Sequence, residues 1–213
     1  MASPRLIIDN LSCGRGERAL FRGLSLILEA GEAARVLGDN GSGKTTLLRT
    51  LCGLHAPFDG DVQWQGSAPA AADEDEPILQ DDLCFVGHDN ALNGALTPIE
   101  NLDVLMRLSG RRRSQKHIRE TLTSLGLKPV ANRACERLSA GQRRRVSLAR
   151  LWLTDAPLWL LDEPASALDV DARAVLGARI AEHVGAGGLV LFTTHEPLTL
   201  PDLPVRAIEL TAC

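Results

Sequence analysis

The sequence has 213 residues, a length that suits one domain, or one domain carrying a subdomain, around a sizeable hydrophobic core. The formal net charge is -4, so no nucleic acid partner is expected, because proteins that bind phosphate backbones are usually basic. No apolar run approaches the length of a membrane-spanning helix, and the N-terminus has no secretory pattern. We therefore expect a cytosolic protein that reaches a membrane only through a partner.

The predicted elements alternate between strands and helices along the chain. Periodicity predicts strands at 5–10, 24–29, 62–64, 83–86, 158–162, 188–193 and 205–210, and helices near 98–108, 114–125, 141–154 and 170–184. A strand, a loop and a helix fill residues 33–54, and the acidic stretch 68–82 is predicted to be a solvated loop. This alternation is typical of an α/β fold with a mainly parallel sheet and a helical insert.

The five cysteines (13, 52, 84, 135 and 213) are scattered, and none forms a C-x-x-C or C-x-x-C-H motif. Cysteine motifs for metal, redox chemistry and covalent haem are therefore absent, and nothing in the chain looks like a haem ligand. We expect most of these thiols to be small buried hydrophobic groups or inert surface groups.

Residues 38–45, Gly38-Asp39-Asn40-Gly41-Ser42-Gly43-Lys44-Thr45, fit the phosphate-loop pattern G-x-x-x-x-G-K-[ST]. An apolar run precedes the pattern and a helical pattern follows it, and the glycines let the backbone aim several N–H groups into one concavity. The start of the helix adds the positive end of its dipole, so the loop predicts a site for anionic phosphate. We expect Lys44 to reach the β- and γ-phosphates, Thr45 to hold Mg²⁺, and the neighbouring Thr46 to belong to the same site.

Two further motifs lie in the second half of the chain. Ser139-Ala140-Gly141-Gln142 stands at the start of a predicted basic helix, where a hydroxyl and backbone amides can form a second anion site. The apolar run 158–161 ends in Asp162-Glu163, which a parallel sheet places at the carboxyl end of a strand, beside the phosphate loop. Taken alone, the Asp162-Glu163 pair also fits an ordinary strand end, and a lone histidine such as His195 is usually a satisfied polar residue. The arginines at 111–113 and 143–145 also fit solvated surfaces.

The order and spacing of these motifs resemble those of the ATP-binding cassette (ABC) ATPase domain. The resemblance runs from residue 6 to at least residue 197, and it includes Ser166-Ala167-Leu168-Asp169 after the Asp162-Glu163 pair. It implies a P-loop NTPase fold of the ABC type, with a mainly parallel core sheet, an antiparallel β portion and a helical subdomain. It also implies a single nucleotide-binding domain over residues 1–213, with the helical subdomain inserted at about 90–156.

The same resemblance implies roles around one ATP molecule. Lys44, Glu163 and His195 would be catalytic, with Glu163 polarising the attacking water and His195 contacting the γ-phosphate. Asp162 would assist Thr45 in holding Mg²⁺. Phosphoryl transfer mainly needs positioning and charge neutralisation, so a lysine, a metal, a carboxylate and a histidine around one phosphate suffice.

Other residues of the resemblance point to a second copy of the chain. Ser139 and Gly141 would bind the γ-phosphate held by the opposite subunit, and Gln142 belongs to the same nucleotide-binding segment. Asp169 would report across the dimer. If the second anion site belongs to the other subunit, ATP joins two copies and its hydrolysis releases them.

Two positions depart from the general ABC pattern. Most members carry a glutamine after the strand at 83–86, at the junction with Mg²⁺ and the membrane partner, where this chain has His88. Most also carry an aromatic residue near position 13 that stacks on adenine, where this chain has Cys13-Gly14-Arg15. Arg15 could stack through its guanidinium plane or Phe21 could substitute, and the sequence leaves both open.

Both departures resemble one subfamily, the ATPase subunits of the bacterial cytochrome c maturation system. The matching segments are Gly87-His88, Glu100-Asn101-Leu102, the run from Arg143 to Leu153, and Thr193-Thr194-His195-Glu196-Pro197-Leu198. The resemblance implies a peripheral subunit on the cytoplasmic face of the inner membrane, working with the membrane subunit CcmB and with CcmC and CcmD. It implies a role described as haem export, in which ATP hydrolysis drives release of a haem-loaded chaperone in preference to direct haem transport. We expect no haem bound to this subunit.

Two alternatives remain at this point. The chain could serve another ABC exporter, of lipid, metal or drug, which would share the catalytic residues and differ in the partner held by the helical insert. It could instead be a soluble ABC ATPase acting on nucleic acid or ribosomes, although such proteins usually carry two cassettes or a long coiled-coil insertion, and this chain has neither.

Overall fold

The computed structural model describes residues 4–66 and 82–211. Its strands are β1 Arg5–Arg15, β2 Arg18–Glu29, β3 Ala33–Leu37, β4 Asp59–Gln65, β5 Leu83–Val86, β6 Leu158–Leu161, β7 Leu189–Thr193 and β8 Val205–Glu209. Its helices are α1 Lys44–Leu51, α2 Pro98–Leu108, α3 Gln115–Ser124, α4 Ala140–Leu148, α5 Arg150–Leu153 and α6 Val170–Gly185. None of these described helices is both long enough and apolar enough to cross a membrane.

The strands form two sheets. The smaller sheet is antiparallel, with β1 between β2 and β4. The larger sheet is parallel, in the order β5-β6-β7-β3-β8. Because all five strands of the larger sheet run in one direction, the residues that follow β3, β6 and β7 gather at a single edge, where ligands bind in such sheets.

Three apolar clusters hold the elements together. One face of the parallel sheet packs on α1 and the antiparallel sheet, through residues such as Leu47 and Leu160. The other face packs on α5 and α6, through residues such as Trp159 and Ile180. Every residue of β6 and β7 is buried, as expected for strands covered on both faces. Helices α2, α3 and α4 enclose a third cluster, together with the segment between α3 and α4 and Leu153 of α5.

The predicted α/β fold with a mainly parallel sheet and an antiparallel portion is confirmed, with some different boundaries. β1 continues five residues past the predicted end at residue 10, because register shifts follow Ile8 and Asn10 has a φ of 47°, which interrupts the alternating pattern. The single helix predicted at 141–154 is wrong. The chain tightens at Ala149, whose N–H is shared by the carbonyls of Arg145 and Val146, and α5 begins there. The predicted loop 68–82 lies outside the described residues except at its last position.

The described cysteines behave as small hydrophobic residues, as predicted. Cys13, Cys84 and Cys135 are buried and Cys52 is half-buried. Burial raises the pKa of each thiol, and that of Cys52 rises to about 12. Thiols with raised pKa values are poor nucleophiles, which fits structural rather than reactive roles.

Candidate functional site: a nucleotide cleft at the sheet edge

The loop between β3 and α1 has the conformation that its glycines predict. Gly38 and Gly43 have φ values of 145° and 104°, a region that side-chain-bearing residues rarely adopt. A Cβ atom on Gly43 would also lie 2.9 Å from Cδ1 of Phe21, and one on Gly38 would lie 2.6 Å from Oγ of Ser42. The sequence can therefore form this tight loop only with glycine at both positions.

Positive charge and backbone donors surround the concave side of this loop. Nζ of Lys44 donates to the carbonyl oxygens of Gly38 at 2.7 Å and Asp39 at 3.0 Å, which holds the ammonium group across the loop. In the described chain, no side chain caps the N-terminus of α1, so its first N–H groups remain free for a ligand. The hydroxyl of Ser42 is buried without a described hydrogen-bond partner. These features suit an anion such as a phosphate chain.

Asp162, the residue after β6, is tied to the phosphate loop. It is 2% exposed, and its Oδ2 accepts a hydrogen bond of 2.9 Å from the hydroxyl of Thr45. Its Oδ1 accepts one of 2.9 Å from the hydroxyl of Thr193, at the end of β7. A hydroxyl and a carboxylate on adjoining elements are the oxygen donors that a hard cation such as Mg²⁺ prefers. The residues predicted to hold Mg²⁺ therefore fit that ion.

Glu163 has a constrained position next to Asp162. Its φ is 50°, an uncommon left-handed value for a residue with a side chain. Its N–H donates to Oγ1 of Thr193 at 2.9 Å, and its Oε2 accepts the backbone N–H of His195 at 2.9 Å. Nε2 of His195 lies 3.5 Å from Oε1 of Glu163, with the histidine side chain 58% exposed and the glutamate 15% exposed. The mostly buried carboxylate is thus held beside a histidine that faces solvent.

These residues line one cleft of about 380 Å³. The lining comprises Arg15, Leu20, Asn40, Gly41, Gly43, Lys44, Thr45, Thr46, His88, Asp162, Glu163 and His195. Arg15 and Leu20 come from β1 and β2, so the antiparallel sheet supplies one wall. Phe21, an alternative for adenine, is 1% exposed and packs against Gly43, so its ring faces the core.

The motif Ser139-Ala140-Gly141-Gln142 does not line this cleft. Ser139 caps α4: its Oγ accepts the N–H of Gln142 at 3.2 Å, and Oε1 of Gln142 accepts the N–H of Ser139 at 3.0 Å. A Cβ on Gly141 would lie 2.8 Å from the carbonyl of Ala167, so α4 approaches the segment after β6 closely. Asp169 likewise lies outside the cleft, where it caps α6 by accepting the N–H of Ala172 at 2.8 Å.

Two features of the site were not found from the sequence. Thr193, which joins Asp162 to Glu163, is 0% exposed and stands in an apolar strand, where a threonine gives no distinctive pattern. The sequence leaves open a solvated face for the arginines at 143–145, and the structure excludes Arg144 from such a face, because it is 2% exposed. On the 111–113 run, Arg113 also departs from the prediction, since its Nε donates to the carbonyl of Leu153 at 2.7 Å.

Comparison with known proteins agrees with this geometry. The protein-family model described as ABC transporter matches residues 21–166. The cytochrome c biogenesis ATP-binding export protein CcmA of Dechloromonas aromatica is 44% identical over 202 residues, which cover 95% of this chain and 98% of that protein. CcmA of Escherichia coli K12 is 44% identical over 201 residues, 94% of each chain.

A solved structure shows the same fold. It is an ATP-binding cassette in a dimeric post-hydrolysis state bound to ADP and Pi, with a TM-score of 0.77 and 27% identity over 90% of this chain and 88% of that one. The chain therefore belongs to the ABC transporter family of ATP-binding proteins and, within it, to the cytochrome c biogenesis ATP-binding export proteins CcmA. As a member of that family it binds and hydrolyses ATP as a transporter subunit.

Proposed function

We propose that the chain hydrolyses ATP for a membrane complex that matures c-type cytochromes, with the cleft holding one ATP molecule. The observation that carries this proposal is the convergence of the phosphate loop, Asp162, Glu163 and His195 on one cleft at the carboxyl edge of the parallel sheet. The curated relatives, which carry the cytochrome c biogenesis name, match nearly the whole chain.

The phosphate chain of ATP binds at residues 38–46 in this proposal. Backbone N–H groups of the loop and of the first turn of α1 donate to the phosphate oxygens, and Lys44 moves its ammonium group from the carbonyls of Gly38 and Asp39 to the β- and γ-phosphates. Arg15 lies at the wall formed by the antiparallel sheet, where its planar guanidinium can stack on adenine.

Thr45 and Asp162 are the residues that would hold Mg²⁺. When bound, the ion neutralises charge on the phosphate oxygens. The chain contributes orientation, because Thr193 fixes one oxygen of Asp162 and leaves the other directed at the hydroxyl of Thr45.

Glu163 orients and polarises the attacking water. Its carboxylate is mostly buried and is anchored by the backbone N–H of His195, so little rearrangement is needed when charge develops. The exposed imidazole of His195 would contact the γ-phosphate and stabilise the negative charge that develops on its oxygens during transfer to water.

The site is completed by a second copy of the chain. Ser139 and Gly141 lie outside the cleft of their own subunit, while Ser139 is exposed at the N-terminus of α4, where donors and the helix dipole favour an anion. In the proposed dimer this segment, with Gln142, meets the γ-phosphate of the opposite subunit, and Asp169 lies at the contact between copies. The dimeric cassette bound to ADP and Pi supports this arrangement.

We place the contact with the membrane subunit CcmB beside His88. A second cavity of about 380 Å³ lies there, lined partly by Leu54, Phe85 and His88, and Leu54 is 67% exposed. Leu108, the last residue of α2 in the segment after His88, is 76% exposed. Exposed apolar surface of this kind marks protein contact sites. CcmB, with CcmC and CcmD, would hold the chain at the cytoplasmic face of the inner membrane, where hydrolysis drives haem export or release of the haem-loaded chaperone.

A haem stain of c-type cytochromes tests the proposed function. Host cells that lack this chain would be complemented with the wild type or with Glu163→Gln, at matched protein levels. We expect cytochromes to disappear without the chain and to return only with the wild type. Normal cytochromes in the deleted cells would show that the chain serves another membrane partner. Full rescue by Glu163→Gln would show that Glu163 is not needed for ATP hydrolysis in this complex.

A further inference from the structure

Arg144 is a buried cation next to the residues that follow β6. It is the fifth residue of α4 and is 2% exposed. Charged side chains are almost never this deeply buried unless they are paired and hydrogen-bonded. Its hydrogen-bond partners in the described residues, however, include no carboxylate.

The partners are oxygen atoms from two loops. Nη1 donates to the carbonyl of Gly87 at 2.8 Å and, at 3.4 Å, to the carbonyl of His88 and to Oδ1 of Asn90. Nη2 donates to the carbonyls of Asp162 at 2.9 Å and Glu163 at 2.7 Å. Nε completes the set with the carbonyl of Pro164 at 3.3 Å. One guanidinium group therefore joins the loop after β5 to the loop after β6.

The charge of Arg144 persists in this environment. Burial lowers the pKa of Arg144, and the positive charge of Arg150 lowers it further, whereas Asp162 and Glu163 raise it. The resulting pKa is about 10. A guanidinium whose pKa is near this value is still protonated at neutral pH. A charged donor makes stronger hydrogen bonds to carbonyls than a neutral one, and the planar fork can satisfy several acceptors at once.

The arrangement bears directly on Glu163. The backbone of this residue is in the left-handed region, which persists only where the surroundings hold it. Thr193 holds its N–H and Arg144 holds its carbonyl, so both sides of the strained residue are fixed. Arg144 itself does not line the nucleotide cleft.

We propose that Arg144 is a positioning residue for ATP hydrolysis, which holds the Glu163 backbone and the His88 loop in fixed register with α4. Because Ser139 caps the same helix, Arg144 connects the segment that would meet a second copy to the carboxylate of its own subunit. The inference rests on the proposed role of Glu163. It assigns Arg144 an effect on turnover rather than on ATP binding, since none of its hydrogen bonds reaches the phosphate loop.

The test compares Arg144→Met, Arg144→Lys and the control Arg179→Met in the full chain. Arg179 is a matched control because its Nε and Nη2 also donate to a backbone carbonyl, that of Leu151 at 3.0 and 2.9 Å, but on α6 and outside the cleft. We expect Arg144→Met to lower kcat about a hundredfold while the Kd for ATP stays within about threefold. Arg144→Lys keeps the positive charge but lacks the planar guanidinium, so its kcat should be about tenfold higher than that of Arg144→Met. Arg179→Met should lower Tm and keep kcat within about twofold.

Hydrogen exchange provides a second readout that does not depend on hydrolysis. In Arg144→Met, amides of residues 87–90 and 162–166 should exchange faster, while the phosphate loop 38–46 stays protected in ATP. If Arg144→Met does not fold, Arg144→Lys carries the same comparison. If Glu163→Gln, measured in parallel, still hydrolyses ATP, the proposed role of Glu163 is wrong. Unchanged hydrogen exchange in the Arg144 variants would separately show that Arg144 does not hold the two loops in place. Wild-type kcat in Arg144→Met, or equal losses of kcat and ATP affinity, would also overturn the proposal.

Discussion

Thr193 forms hydrogen bonds to both of the residues that carry the cleft carboxylates. Its hydroxyl donates to Oδ1 of Asp162 and accepts the N–H of Glu163, both at 2.9 Å. Valine has the same shape without the hydroxyl, so Thr193→Val would leave both of these groups without that partner. We expect kcat to fall about tenfold to a hundredfold, with a loss of about 1–3 kcal/mol in the free energy of unfolding.

Thr154→Val is the matched control for this experiment. Thr154 is also buried, and its hydroxyl accepts the N–H of Ala156 at 3.1 Å, away from the cleft. This variant should lose stability while its steady-state ATPase rate stays unchanged. A Thr193→Val protein with wild-type kcat would show that the carboxylates are positioned by other contacts.

His183 makes the stability of the protein depend on pH. Its ring stacks on Trp159 with centroids 3.7 Å apart, and its Nε2 lies 3.2 Å from the carbonyl of Pro157. Burial lowers its pKa from 6.5 to about 4, with a smaller contribution from Arg179 in the same direction. The unfolded chain therefore binds a proton between those values while the folded chain does not. This contribution to stability is complete above pH 6.5 and is lost as the pH falls toward 4.

His183→Gln removes this titration and keeps a polar side chain. On going from about pH 7.5 to about pH 5, the wild type should lose about 2 kcal/mol more than the variant. Urea unfolding at the two pH values measures the difference. Equal losses in both proteins would mean that other groups set the acid sensitivity.

The sequence identifies the residues of the site that stand in ordered motifs, and it misses those that act through burial. The phosphate loop has a spacing that chance rarely produces. The pair Asp162-Glu163 is identified by its order after the other motifs, because alone it also fits an ordinary strand end. Arg144 stands between two other arginines, and successive helical residues point in directions about 100° apart. Composition does not tell which of the three faces inward, because that depends on how α4 packs against the two loops.

At the level of single elements, the start of α2 has a complete capping box. Oγ1 of Thr97 accepts the N–H of Glu100 at 3.3 Å, and Oε2 of Glu100 accepts the N–H of Thr97 at 2.8 Å. Thr97→Ala removes one half of this box and should cost about 1 kcal/mol of unfolding free energy. Thr123→Ala is the control, because that exposed hydroxyl only bonds back to the carbonyl of Arg119 within α3. Equal stability of Thr97→Ala and wild type in urea would argue against the cap.

The capped start of α2 could be predicted because the signal is local. The full length of β1 could not, because its register shifts come from pairing with β2 and β4, which lie elsewhere in the sequence. The break between α4 and α5 has the same origin. The residues on both sides are good helix formers, so local sequence does not mark the break. Both helices contribute residues to the same two apolar clusters, and the break depends on how they pack there.

At the scale of the whole molecule, the two parts of the proposed shared site do not meet within one chain. The cleft carries the phosphate loop, Asp162, Glu163 and His195, whereas Ser139 is exposed at the start of α4 and does not line it. The proposed dimer brings each half to the complementary half of another copy. Arg144 then connects the two within each subunit, so assembly and turnover would be linked.

The most direct test measures the mass of Glu163→Gln by size-exclusion chromatography with light scattering, in ATP and Mg²⁺. Blocked hydrolysis should trap ATP between two copies and give a dimer. Removing the Mg²⁺ with a chelator should return the monomer. The double variant Glu163→Gln, Ser139→Arg should remain monomeric, because the added side chain occupies the place of the opposite γ-phosphate. A Glu163→Gln protein that stays monomeric at every concentration, or a double variant that dimerises equally well, would contradict a site shared between two copies.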